Sequence, residues 1–304
     1  MVSSVKTFET VAIIGCGDIG CRVAQLLQSD VHLITVYVRS EASVSRIAAL
    51  GIGAEVLDLD SLNRESGKNL TQFRNQLVFY FAPPPAKGQL DTRMRAWLAA
   101  LDPNNLPQRI LYISTTGVYG DQQGRRIDET IATNPQANRA KRRLDAEEVL
   151  AQFCIAHYID FVILRVAGIY GAQRLPRQRL IAKTPILRPE ISPLTNRIHE
   201  DDLAACCVAA ALTSRSAEIY NISDGDNMTM SDYFIRVAEF LNLPSPPRVS
   251  WYEAETILSE GMLSYLKESR LIDNTKMLTL LKIQLKYASL SEYFKQTQID
   301  KKQK

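Results

Sequence analysis

The chain has 304 residues, 46% of them hydrophobic and 23% charged, with a formal net charge of +3. That length accommodates a large core in one domain or two, and so small a charge argues against nucleic acid or a membrane surface as partner. The opening residues lack the apolar core of a secretion signal, and no apolar run is long enough to span a bilayer, so the expected location is cytoplasmic.

The first element is Val11-Ala12-Ile13-Ile14, an apolar β-branched strand. Gly15-Cys16-Gly17-Asp18-Ile19-Gly20 follows, and then apolar residues at helical spacing as far as Leu27. Strand, G-x-G-x-x-G and helix in that order form a dinucleotide fingerprint. Gly15 permits the tight turn, Gly17 lets backbone approach a pyrophosphate, and Gly20 lets the helix pack close to the strand. The next strand, Leu33–Val38, ends in Arg39-Ser40. An Asp or Glu for a ribose 2′-hydroxyl usually stands roughly 20 residues past the first glycine. Here Arg39 stands near that place, with Ser40 as a second donor and Arg46 as added charge from the next helix. An arginine there favours a 2′-phosphate, hence NADP over NAD. A solvated strand-end charge is the competing reading of Arg39.

Further strands are expected at Glu55–Leu57, Leu77–Ala82, Arg109–Ser114, Phe161–Val166 and Ala217–Ile222. Helices are expected at Glu41–Leu50, Thr92–Leu101, Arg139–His157 and Asp201–Leu212. Apolar strands alternating with amphipathic helices predict an α/β fold, a Rossmann-type doubly wound parallel sheet with its crevice at the carboxyl strand ends. The pattern loosens after Gly171: Arg174–Thr195 reads as irregular, and the chain past Ser223 as mostly helical, with Ser231–Leu241 the clearest helix. The expected layout is a nucleotide-binding domain over residues 1–170, rejoined by 199–225, and a smaller C-terminal substrate lobe from 171–198 and 226–304. The five cysteines are odd in number and form no C-x-x-C, so they read as reduced and mostly buried thiols. Three scattered histidines predict no metal site.

Four later motifs line up in order: Ile113-Ser114-Thr115-Thr116-Gly117-Val118-Tyr119-Gly120, Leu164-Arg165-Val166-Ala167-Gly168-Ile169-Tyr170-Gly171, Ile198-His199-Glu200-Asp201-Asp202-Leu203-Ala204 and Tyr220-Asn221-Ile222-Ser223-Asp224-Gly225. Together they resemble the extended short-chain dehydrogenase/reductase family, the NAD(P)-dependent epimerase/dehydratase group of nucleotide-sugar enzymes, from about Val11 to about Ile235. The resemblance implies that Asp58 and Leu59 meet the adenine, and that Ala82 and Pro83 lie beside the adenosine ribose and diphosphate. It makes Ser114 a backbone position on the nicotinamide side and Thr115 the catalytic Ser/Thr. It also implies a homodimer paired through Thr92–Leu101 and Arg139–His157, and a structural role for His199 at the start of the following helix.

One departure bears on chemistry. The family's reaction rests on Tyr-x-x-x-Lys, two groups on one helix face, with a proline four residues before the tyrosine and a glutamate four after the lysine. Pro135 and Glu147 set that frame here, and it lands on Arg139 and Arg143. An arginine cannot exchange protons near neutrality. Arg143 could still bond a ribose or phosphate, Arg139 could clamp an anion, and Tyr119 could supply a phenol. Basic residues between Arg125 and Arg197, among them Arg165, Arg174, Arg177, Arg179, Lys183 and Arg188, point to an anionic small-molecule ligand. Two functions are therefore expected in competition. One is an oxidoreductase or epimerase with a non-standard acid/base; the other is a catalytically silent NADP(H)-binding sensor.

Overall fold

The structure, a computed structural model, describes residues 6–62 and 69–302. Seven parallel strands form the central sheet: β1 (Thr10–Ile14), β2 (Leu33–Val38), β3 (Gly53–Val56), β4 (Leu77–Tyr80), β5 (Arg109–Thr115), β6 (Asp160–Val166) and β7 (Glu218–Ile222). Their spatial order is β7-β6-β5-β4-β1-β2-β3, with the order reversing between β1 and β4. Register runs Ile14 beside Tyr37 on one side and beside Tyr80 on the other. A ligand crevice belongs at that reversal, outside the carboxyl ends.

Helices cover both faces. On one face α1 (Asp18–Leu27), α2 (Glu41–Ala48) and a later helix, Glu200–Leu212, bury Val11, Ile13, Val36, Leu77, Phe79 and Leu164. On the other, α3 (Thr92–Ala100) and α4 (Asn138–Ala156) bury Ala12, Ile14, Val78, Tyr80, Tyr112 and Ile163. Alternate residues of one strand thus feed two cores, which is why the strands read as continuous apolar runs.

The segment expected to be irregular is partly ordered. It holds α5 (Arg177–Ile181) and the short strand Ile186–Leu187, which pairs in parallel with Arg248–Val249. Then come α6 (Glu200–Leu212), α7 (Met230–Phe240), α8 (Trp251–Ile257), α9 (Glu260–Leu266), α10 (Thr275–Leu280) and α11 (Leu290–Lys302). Thr229 and Ser250 open α7 and α8 with reciprocal capping boxes, local signals that override the proline-rich stretch between them. The smaller lobe has its own apolar clusters, one around Phe234 and Val237 and one around Leu187 and Ala254. The chain then returns: Met277 and Leu281 sit in the sheet core with Val11 and Leu77, so α10 packs on the larger lobe rather than within the smaller one.

Candidate active site

The glycine loop has the geometry its sequence demands. Gly15 has φ +87°, and a Cβ there would lie 2.5 Å from the backbone nitrogen of Ala82. Gly20 approaches the Gly15 carbonyl, with an added Cβ 3.2 Å from it and from the Cys16 sulfur. Gly17, the N-cap of α1, has nothing within 4 Å of an added Cβ, so open space lies above the helix N-terminus. Arg46 donates from Nη2 to the Cys16 carbonyl at 2.9 Å, so it braces the loop. Cys16 is buried with its Sγ 3.3 Å from that of Cys21, and burial pushes its thiol pKa up. Ile19 packs in the core, and Asp18 pairs with Arg22 and Arg174.

Beside the loop, a cavity of about 180 Å³ is lined by Gly15, Arg39, Asp58, Leu59, Ala82 and Pro83. Arg93 shares its wall and is locked to Asp60 by two hydrogen bonds of 2.6 Å. That leaves Arg39 only a 4.0 Å approach to Asp60, with its side chain 73% exposed. Ser40 is also exposed, its hydroxyl 3.2 Å from that of Ser43.

At the other end, a cavity of about 420 Å³ is lined by Thr115, Arg139, Arg143, Tyr265 and Arg270 among others. Thr115 Oγ accepts from the Gly117 amide at 3.2 Å, so its own proton is free to donate elsewhere. Arg143 donates to the Ile113 carbonyl at 3.0 Å and lies 3.3 Å from the Tyr112 hydroxyl. Arg139 donates to Ser264 Oγ at 2.6 Å and lies over the Tyr265 ring, 3.5 Å from its centre, joining α4 to α9 above the cavity.

Two expectations, for Tyr119 and Arg165, are corrected here. Tyr119 is fully buried and donates to Asn221 Oδ1 at 2.8 Å; it does not line the cavity, because the turn after Thr115 swings it into the core beside Ile127. The Ser114 side chain faces inward, onto Glu147, which holds Arg165 in a buried ion pair at 2.7 Å, and this leaves the expectation for Ser114, which concerned its backbone, untouched. Finally, Arg165 does not belong to an anion-facing crevice. Of the basic residues after Gly171, Arg174 is spent on Asp18 and Glu200, while Arg177, Lys183 and Arg188 are exposed.

With that geometry described, the relatives can be placed. The family described as NAD(P)H-binding matches residues 15–214, two thirds of the chain. The chain belongs to the NAD(P)H-binding family. A curated relative, Protein YeeZ of Escherichia coli K12, is 29% identical over 138 residues, 45% of this chain; the match spans about half of YeeZ. Among solved structures, a conserved protein of unknown function from Silicibacter pomeroyi aligns with TM-score 0.75 and 23% identity, covering 96% of this chain and 99% of that one. A putative NAD-dependent epimerase/dehydratase from Methylobacillus flagellatus gives 0.72 and 22%, covering 97% and 100%. UDP-glucuronic acid 4-epimerase from Bacillus cereus, solved with NAD, gives 0.71 and 18%, covering 95% and 99%. At these identities the likeness is one of fold: that of the epimerase/dehydratase-type short-chain dehydrogenases.

For a member of the NAD(P)H-binding family, the residues fit the cofactor. The open space above Gly17 would hold a pyrophosphate, and Asp58, Leu59, Ala82 and Pro83 would hold an adenosine. Sequence reasoning missed Tyr265, Arg197 and Arg270, which reach the cavities from the C-terminal part of the chain; no local pattern distinguishes them from surface residues. His199 acts as a cap, its Nδ1 accepting from the Asp201 amide at 3.1 Å, with its ring packed among Tyr170, Tyr287 and Tyr293.

Burial pulls the His199 pKa down to about 4, opposed by the field of Asp201 and assisted by Arg22 and Lys286. The unfolded imidazole protonates near pH 6.5 while the folded one stays neutral, so stability falls as pH drops from about 6.5 to about 4, by on the order of 2 kcal/mol at pH 4.5. His199→Asn keeps a capping acceptor and removes this loss. Urea unfolding at pH 7 and pH 4.5 should therefore show a smaller pH effect in the variant; equal pH effects would disprove the assignment.

Proposed function

We propose that this protein is an NAD(P)-dependent oxidoreductase or epimerase of a small anionic molecule, with proton-handling groups other than the usual tyrosine and lysine. The observation that carries this reading is the 420 Å³ cavity, which the Thr115 hydroxyl, its proton undirected by the chain, lines together with Tyr265, Arg139 and Arg143. A nicotinamide supplies or takes up hydride when bound. Thr115 holds the reacting oxygen by a hydrogen bond, and Tyr265 stands as its proton partner. Arg139 holds Tyr265 in place, and Arg143 meets ribose or phosphate; neither exchanges a proton.

The test follows nicotinamide absorbance with sugar nucleotides, aldehydes and keto acids. Expected are turnover with at least one of them, a fall of about 100-fold in Thr115→Ala, and unchanged cofactor affinity. Tight cofactor binding with no turnover across the panel overturns the reading. It favours instead a silent NADP(H)-binding sensor, which is the reading supported by the two arginines at positions 139 and 143.

NADP is the preferred cofactor in this proposal, because Arg39 stands beside the adenosine cavity with little of its charge neutralised. Arg39→Ala should weaken NADP at least about tenfold, or about 1.4 kcal/mol, and leave NAD within about twofold. Calorimetric dissociation constants for both decide it, and tighter NAD binding by the parent chain refutes it. We further propose a homodimer through α3 and α4, which a monomeric mass by light scattering would exclude. A cytoplasmic location suits the five free thiols.

A further inference from the structure

A second cavity, of about 240 Å³, lies in the smaller lobe between α5, α7 and α9. It shares Arg197, Met230 and Tyr265 with the 420 Å³ cavity, so the two adjoin. Its walls are largely apolar, including Leu187, Phe234, Leu258 and Met262. Two half-buried guanidinium groups stand among them, each laid on an aromatic ring. Arg179 lies on the Phe234 ring, 4.5 Å from its centre, and Arg197 on the Tyr233 ring at 3.9 Å.

The Nε atoms of Arg179 and Arg197 are buried with no hydrogen-bond partner among the described residues. Arg197 otherwise donates only to the Met230 sulfur, at 3.2 Å. Burial lowers the pKa of both, and for Arg179 the field of Arg197 adds to it. Asp224 is the acid whose field reaches Arg197, but among the described residues no side-chain hydrogen bond or ion pair joins the two, and burial pushes the Asp224 carboxyl up to about 8. Buried charges are ordinarily paired. Among the described residues no ion pair holds either side chain, whereas Arg22 and Arg174 are each paired with acids.

We infer that this cavity is a binding subsite for a small amphiphilic anion, whose carboxylate or phosphate sits between Arg179 and Arg197 and whose apolar body lies against Leu187, Phe234 and Leu258. The inference deepens the proposed function and rests on it: with its charge held there, the other end of the molecule points past Arg197, Met230 and Tyr265 toward the adjoining cavity that Thr115 lines. The walls at Leu187, Phe234, Leu258 and Met262 offer a sugar or base few hydrogen-bond partners, so the favoured occupant of this subsite is more apolar than a nucleotide.

Calorimetry on the NADP-saturated full chain tests this with four probes: phenyl phosphate, 3-phenylpropionate, benzyl alcohol and UDP. Phenyl phosphate or 3-phenylpropionate should bind, and whichever is tighter tells phosphate from carboxylate. Benzyl alcohol should not bind, and UDP should bind at least tenfold more weakly. Arg179→Gln should weaken the anion at least tenfold without moving the NADP affinity, and Leu258→Trp, which fills the cavity, should do the same. Binding of benzyl alcohol as tight as the anions, tighter UDP, unchanged affinity in both variants, or no binding by either anion each overturns the subsite. NADP affinity is read separately, so loss of this proposal is distinct from failure of the dinucleotide reading.

Discussion

Gly17→Val will leave the fold standing and abolish dinucleotide binding. No atom lies within 4 Å of a Cβ at position 17, and the backbone there has φ −81°, which any residue adopts. The added side chain would project into the space above the α1 N-terminus, the place a pyrophosphate needs. The expected rise in dissociation constant is at least about 100-fold, or about 2.7 kcal/mol, with the melting midpoint within about 2 °C of the parent. Gly15→Ala provides the contrast. Its φ of +87° and a 2.5 Å clash with the Ala82 backbone attack the junction of β1 and β4 itself. It should lose at least about 2 kcal/mol of stability along with binding. If Gly17→Val binds NADP normally by calorimetry, the phosphates lie elsewhere and the loop is structural.

The second large effect belongs to Glu147. Its carboxylate accepts from Arg165 Nη2 at 2.7 Å and Nε at 3.1 Å and also receives the Ser114 hydroxyl. Side-chain exposure is 4% for Glu147 and 6% for Arg165, so water cannot take the place of a missing partner. Removing one member of such a pair costs about 3–5 kcal/mol, because the other charge stays buried. Glu147→Leu should therefore lower the melting midpoint by roughly 10 °C, given ~2–4 °C per kcal/mol for domains of this size. Glu147→Leu with Arg165→Leu should regain much of that loss, since nothing charged is left behind. A single-variant loss under about 2 °C would mean that water reaches the pair. The contact also has a functional side: it pins α4 to β5 and β6 just before Thr115, and so sets where Arg139 and Arg143 emerge.

Much of the fold was legible because its signals are local. The apolar runs at Leu33–Val38 and Arg109–Thr115 and the glycine loop act through backbone sterics and near-neighbour burial, which neighbouring residues carry with them. The site was legible only in part. Thr115, Arg139 and Arg143 do line one cavity. Tyr119 does not, because a single 3₁₀ turn, Thr116–Tyr119, rotates its phenol onto Asn221, 102 residues away. The basic stretch after Arg174 reads as uniform charge, yet its members divide between salt bridges, solvent and a buried cavity.

The sequence by itself therefore determined the parallel α/β sheet, the dinucleotide loop and the loss of the tyrosine and lysine. The first two follow from residue type at short spacing, and the third from the resemblance that sets the frame at Pro135 and Glu147. Tertiary structure alone decided which charges stay unpaired and which distant residues share a cavity with Thr115. Tyr265, Arg179 and Arg197 come from segments far from Thr115 in the chain, and pairing or burial of such groups is a property of distant neighbours.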